Sequence, residues 1–91
     1  MSGAGSATVE RMRSLLGALA PASVDIVDDS AKHAGHAGAK SGGGHYTLTI
    51  VAASFAGQNT VARHRAVYAA LSPLMAHEIH ALAIVARAPG E

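Results

Sequence analysis

The stretch HYTLTIVAA, residues 45–53, decides how the rest of the chain is read. Tyr46, Leu48 and Ile50 share one face, while Thr47, Thr49 and Val51 share the other. A period of two with β-branched residues predicts a strand that buries one side. Upstream lies DDSAKHAGHAGAKSGGGH, residues 28–45, with five glycines between His33 and Gly44. That density of glycine excludes a helix or a paired strand and predicts a loop. Before the loop, SVDIVDD at 23–29 sets Val24 and Ile26 on one face, which predicts another strand. The two strands then form an antiparallel pair joined by a long, open connection.

Further back, Val9, Met12, Leu16 and Leu19, with Leu15 beside them, follow helical spacing from Thr8. Glu10 lies in the first turn, where the helix dipole favours negative charge. Gly17 weakens the helix by roughly 1 kcal/mol relative to alanine, and Pro21 ends it. Residues 1–7 are small and read as a flexible lead-in to a single domain over 8–91.

Downstream, SFAGQNT at 54–60 is a turn in which Asn59 or Thr60 can cap the next helix. VARHRAVYAALSPLM at 61–75 carries Val67, Leu71 and Leu74 at helical spacing, and Pro73 predicts a break near Ser72. EIHALAIVARA at 78–88 is a third strand, with His80, Leu82 and Ile84 alternating against Ala81, Ala83 and Val85. The order α-β-β-α-(short α)-β implies an α+β fold, with helices on one face of a three-stranded sheet.

Composition narrows the function classes. Ninety-one residues hold one modest core, aliphatic because Tyr46, Phe55 and Tyr68 are the sole aromatics. Seven Lys+Arg against six Asp+Glu give a formal charge of +1, which announces no broad phosphate-binding surface. The chain has no cysteine, so disulfides, thiolate metal sites and cysteine nucleophiles are excluded. Its apolar runs fall far short of the roughly 20 residues that cross a bilayer. The N-terminus lacks the layout of a signal peptide, so a cytoplasmic protein is expected.

Catalytic motifs are missing. There is no nucleophile elbow, phosphate-binding loop, HExxH or GxGxxG. Asp28 and Asp29 are adjacent, so in a strand they point to opposite faces and make a poor acid–base pair. The chain reads as a non-enzyme. Six histidines remain, and neutral imidazole ligates zinc, iron, copper and nickel. His33, His36 and His45 lie in or beside the loop, and His77 and His80 lead into the last strand. A loop histidine meeting a strand histidine makes two ligands, half of a usual site. For His36, His45, His64 and His77 the simpler reading is a solvated or hydrogen-bonded side chain. Arg63, His64 and Arg65 follow a turn in a crude helix-turn-helix layout, where arginine can grip phosphate or guanine, although two arginines on a helix are more often a solvated face.

VDIVDDSAKHAGHAGA, HYTLTIVAASFAG, RHRAVYAAL and EIHALAI, in this order, resemble the BolA-like family from Val9 to Arg87. The resemblance implies a fold like a class II KH domain. It also implies a C-terminal helix that would be short or missing here, leaving a patch open to a homodimer. It implies pairing with a monothiol glutaredoxin and a shared [2Fe–2S] cluster, with sulfur ligands from the glutaredoxin and its glutathione. Family members contribute the histidine of the HAL motif, here His80, and a histidine or cysteine from the loop between the first two strands. Without cysteine, this chain fits the histidine subgroup. Counting from Asp28-Asp29-Ser30 assigns the loop ligand to His33, with His36 as the stand-in. Imidazole ligation is expected to raise the cluster potential relative to thiolate ligation. The family also includes DNA-binding transcriptional regulators tied to stress response and morphology, and that alternative implicates Arg63 and Arg65.

Overall fold

The computed structural model describes residues 4–30 and 44–91. Its centre is the strand read first. β1 (Ser23–Asp28), β2 (Gly44–Val51) and β3 (Ile79–Arg87) form a sheet in the order β1-β2-β3. β1 runs antiparallel to β2, as expected, and β3 runs parallel to it. β2 starts at Gly44, at the end of the expected loop. It stops at Val51, and Ala53–Phe55 makes a 3-10 turn where the alternation had suggested more strand.

The middle position of β2 explains its burial. Tyr46, Leu48 and Ile50 are almost wholly covered, while β1 and β3 flank them with half-buried Val24, Ile26, Leu82, Ile84 and Ala86. Helices close this face alone. α1 (Ala4–Leu16) brings Met12 and Leu16, and α2 (Thr60–Ala70) brings Val67. Leu71 and Leu74, at the start of and within α3 (Ser72–Met75), complete the predicted apolar stripe. Asn59 is the α2 cap, its side-chain oxygen accepting from the Ala62 amide at 2.9 Å. Pro73 sits in the first turn of α3, where its missing amide costs nothing.

One boundary differs from the sequence reading. α1 begins at Ala4, four residues before the helix that the spacing predicts from Thr8. Alanine is a strong helix former, and the buried Thr8 hydrogen-bonds the Tyr46 hydroxyl, which ties the early turns to the sheet. Burial is the main cause that raises the Tyr46 pKa. Gly44 makes room for this tyrosine: a Cβ there would lie 2.5 Å from the Tyr46 hydroxyl oxygen. No helix among the described residues is long and apolar enough to cross a membrane.

A two-histidine site where the ladder slips

The β2–β3 ladder is regular except at its start. Gly44 pairs with Ile79, but His45 pairs with Ala81, so His80 is an extra residue with no counterpart on β2. Bulges of this kind re-aim a side chain. Ile79 is buried and His80 is exposed. The His80 ring lies 5.1 Å, centroid to centroid, from the ring of His45.

The backbone of His45 is held from the β1 side. The Asp29 amide donates to the His45 carbonyl at 2.7 Å, and the His45 amide donates to Ser30 Oγ at 3.1 Å. An Asx turn sets up that serine, because the Ser30 amide donates to Asp28 Oδ1 at 2.9 Å. Asp29 turns the other way and accepts from the Thr47 hydroxyl at 2.6 Å. The two adjacent carboxylates therefore bond different partners, Asp28 the Ser30 amide and Asp29 the Thr47 hydroxyl. Asp29, His45, Thr47, Ala81 and Ala83 line a shallow trough of about 340 Å³ on the sheet face opposite the helices. Its floor is low because Ala81 and Ala83 are small.

Two imidazoles on one tetrahedral metal, with bonds of about 2.0–2.1 Å, hold their ring centroids roughly 5 Å apart. The His45–His80 spacing meets that requirement. Nε2 of His45 is shielded from solvent, so Nδ1 or a turned ring would have to face a metal. Among the described residues, no three His, Cys, Asp or Glu side chains gather around one point. The pair by itself would supply at most part of a ligand set. Of the residues expected as ligands, His80 is exposed at the register shift, while His33 and His36 lie outside the described residues. The sequence sets His45 beside the loop, where the simpler reading is a solvated or hydrogen-bonded side chain; the one-residue slip that puts it beside His80 leaves no periodic mark.

The arginines of the RHR segment part company. Arg65 is exposed on α2. Arg63 turns inward: Nη1 and Nη2 donate to the Glu91 carboxylate at 2.6 and 2.7 Å, Nη1 also to the Ala86 carbonyl, and Nε to the Gln58 carbonyl. Its guanidinium carbon stands 6.0 Å from the centre of the Phe55 ring. That hydrogen-bonded pair, followed by the Ala88 amide, pulls the Glu91 carboxyl down to about 2. His64 is half-buried, and His77 is exposed between α3 and β3.

Residues 15–91 match the family model described as BolA-like protein. The chloroplastic protein BOLA1 of Arabidopsis thaliana is 42% identical over 94 residues, covering 99% of this chain and 59% of that protein. The solved structure of Arabidopsis BolA1 superposes with a TM-score of 0.77 at 34% identity, covering 100% of this chain and 98% of that one. The BolA domain of Arabidopsis SufE1 gives a TM-score of 0.76 at 35% identity, covering 98% and 95%. The Escherichia coli DNA-binding transcriptional regulator BolA is 33% identical over 70 residues, 77% of this chain and 64% of that protein. This chain thus falls well short of the full length of both curated relatives. With an α+β fold of this topology and a match over most of its length, the chain belongs to the BolA-like family.

Proposed function

We propose that this protein is a non-enzymatic partner of a monothiol glutaredoxin and shares a [2Fe–2S] cluster with it in iron–sulfur or iron homeostasis. The observation that carries the reading is the bulge: it exposes His80 beside His45 while no third ligand stands near them among the described residues. A half-set of neutral ligands on an accessible sheet end suits a site completed by another molecule. His80 is the first ligand. The second is an imidazole from the same end of the sheet, for which geometry favours His45 and the family resemblance favours His33 or His36. The glutaredoxin and its glutathione would provide the thiolates that this chain lacks. When bound, the cluster supplies iron, sulfide and one-electron chemistry. The Asp29 amide, donating to the His45 carbonyl, and Ser30 Oγ, accepting from the His45 amide, hold the His45 backbone without the partner.

The test mixes the chain with a monothiol glutaredoxin, glutathione, iron and sulfide, and follows visible absorption and circular dichroism. A spectrum distinct from that of glutaredoxin alone, lost in His80→Ala, supports the reading. Comparing His45→Ala, His33→Ala and His36→Ala then assigns the second ligand. An unchanged spectrum with no complex overturns the proposal.

A second reading, DNA-binding regulation, is favoured by the likeness to the Escherichia coli regulator. Arg63 is committed to Glu91, so phosphate contact on this helix would fall to Arg65. That reading requires salt-sensitive binding to promoter DNA that weakens in Arg65→Ala.

A further inference from the structure

The two edges of the sheet are protected unequally. Along a strand, the amide and carbonyl of one residue point to the same side, and the side alternates at the next residue. The Ala52 amide donates to the Arg87 carbonyl, so Arg87 faces β2, and Ala86 and Ala88 face outward. Both outward groups are capped. Arg63 Nη1 donates to the Ala86 carbonyl at 3.1 Å, and the Ala88 amide donates to Glu91 Oε1 at 2.9 Å. By the same alternation Leu82 and Ile84 also point their amides and carbonyls outward, and no described residue caps them.

The other edge differs. β1 has six residues, two of them aspartates, and Arg13 Nη1 covers its outward Val24 carbonyl at 2.9 Å. β3 has nine residues, contains no proline and carries no charge between His80 and Arg87. Open, apolar edges are templates for strand addition, and charges on an edge oppose it. Pairing β3 with the β1 edge of another molecule would set Asp25 and Asp28 on an apolar partner and would propagate without closing. Pairing β3 with itself closes on a two-fold axis.

The available window fits that symmetry. The bulge marks one end at His80, and the Arg63–Glu91 clamp marks the other at Ala86. Opposed residues in an antiparallel pair share a face, so a two-fold axis must pass through a residue. The midpoint of the window is Ala83. About that axis Leu82 meets Ile84 of the second copy on the helix side, and Ala81 meets its Val85 on the other. The outward groups of Leu82 and Ile84 then satisfy one another reciprocally.

We infer that the segment His80–Ala86 is a self-pairing edge to which a second copy of this chain adds its β3 antiparallel, and that the Arg63–Glu91 clamp limits the length of the pairing. The occupant is the same chain because the window is apolar on both faces and symmetric about its own midpoint.

The experiment combines sedimentation equilibrium with amide hydrogen exchange by NMR on the full chain at low and high concentration. Self-association should rise with concentration, and the Leu82 and Ile84 amides should slow with it. The outward Ile26 amide on β1 should keep its rate. Val85→Lys, a change at an exposed site, should raise the dimer Kd about tenfold or more, the equivalent of ~1.4 kcal/mol. Glu91→Ala should lower it by freeing the Ala88 amide. A monomer at every concentration overturns the inference, as does a dimer in which those two amides exchange freely. Protection that appears only when a different protein is added overturns the choice of occupant.

Discussion

The two ends of the β2–β3 ladder are made of the same two strands and behave differently. Where β3 begins, the register slips by one residue and His80 is set out beside His45. Where β3 ends, the ladder is regular and tied at several points: the Ala52 amide reaches the Arg87 carbonyl, and Arg63 joins α2 to both Ala86 and Glu91. Phe55 fills the space beneath that clamp. A small domain with one aliphatic core has little stability to spare. Here the clamp lies at one end and the histidine pair at the other. At the histidine end Gly44 leaves room for the Tyr46 ring, and Asp29 and Ser30 hold the His45 backbone from the β1 side.

That contrast can be broken most severely at the locked end. Phe55→Ala removes the largest fully buried side chain and should cost about 3–5 kcal/mol, enough to leave much of the protein unfolded. Circular dichroism during thermal and urea unfolding would show it. An effect below about 1 kcal/mol would mean that this end does not anchor the fold.

Gly44→Ala probes the support beneath the histidines. The added methyl would collide with the Tyr46 ring, and the expected loss is about 1–3 kcal/mol, read as a lower Tm. If the variant keeps wild-type stability, Tyr46 can move aside and the support is softer than described.

Acid separates the ends more gently. The folded Glu91 carboxyl sits at about 2, depressed from an ordinary 4.5. A depressed carboxyl contributes stability that is fully present above its unfolded pKa and lost as pH falls through its folded one. The stability difference between wild type and Glu91→Gln should therefore be constant above about pH 5 and should shrink between 4.5 and about 2. The protection of the Ala88 amide, the slowing of its exchange relative to that of the unfolded chain at the same pH, should fall over the same range.

The smallest effect belongs to the exposed histidine. His80→Ala should change unfolding stability by no more than about 0.5 kcal/mol, although it is the variant expected to abolish the shared-cluster spectrum. A large loss of stability there would make His80 a structural residue and blur the contrast between the ends.

Much of the fold was legible because it depends on short-range periodicity. Alternation in residues 46–51 placed Tyr46, Leu48 and Ile50 inward, and helical spacing placed Val67, Leu71 and Leu74 on one buried stripe. Asn59 and Pro73 acted where their local chemistry required. The site was legible in part. His80, singled out through family likeness, is exposed at the sheet end, and His45, read as a solvated or hydrogen-bonded side chain, lies beside it. Arg63 looked equivalent to Arg65 because both sit on one helix, and its carboxylate partner lies 28 residues away.

The sequence by itself determined the elements, the buried faces and the absence of any thiolate, because each follows from residue type at spacings of two to four. Only the tertiary structure decided the parallel placement of β3, the slip that exposes His80, the pairing of His45 with it and the capture of Arg63 by Glu91. Those depend on how distant segments meet, and a displacement of one residue in a ladder changes neighbours without changing any local pattern.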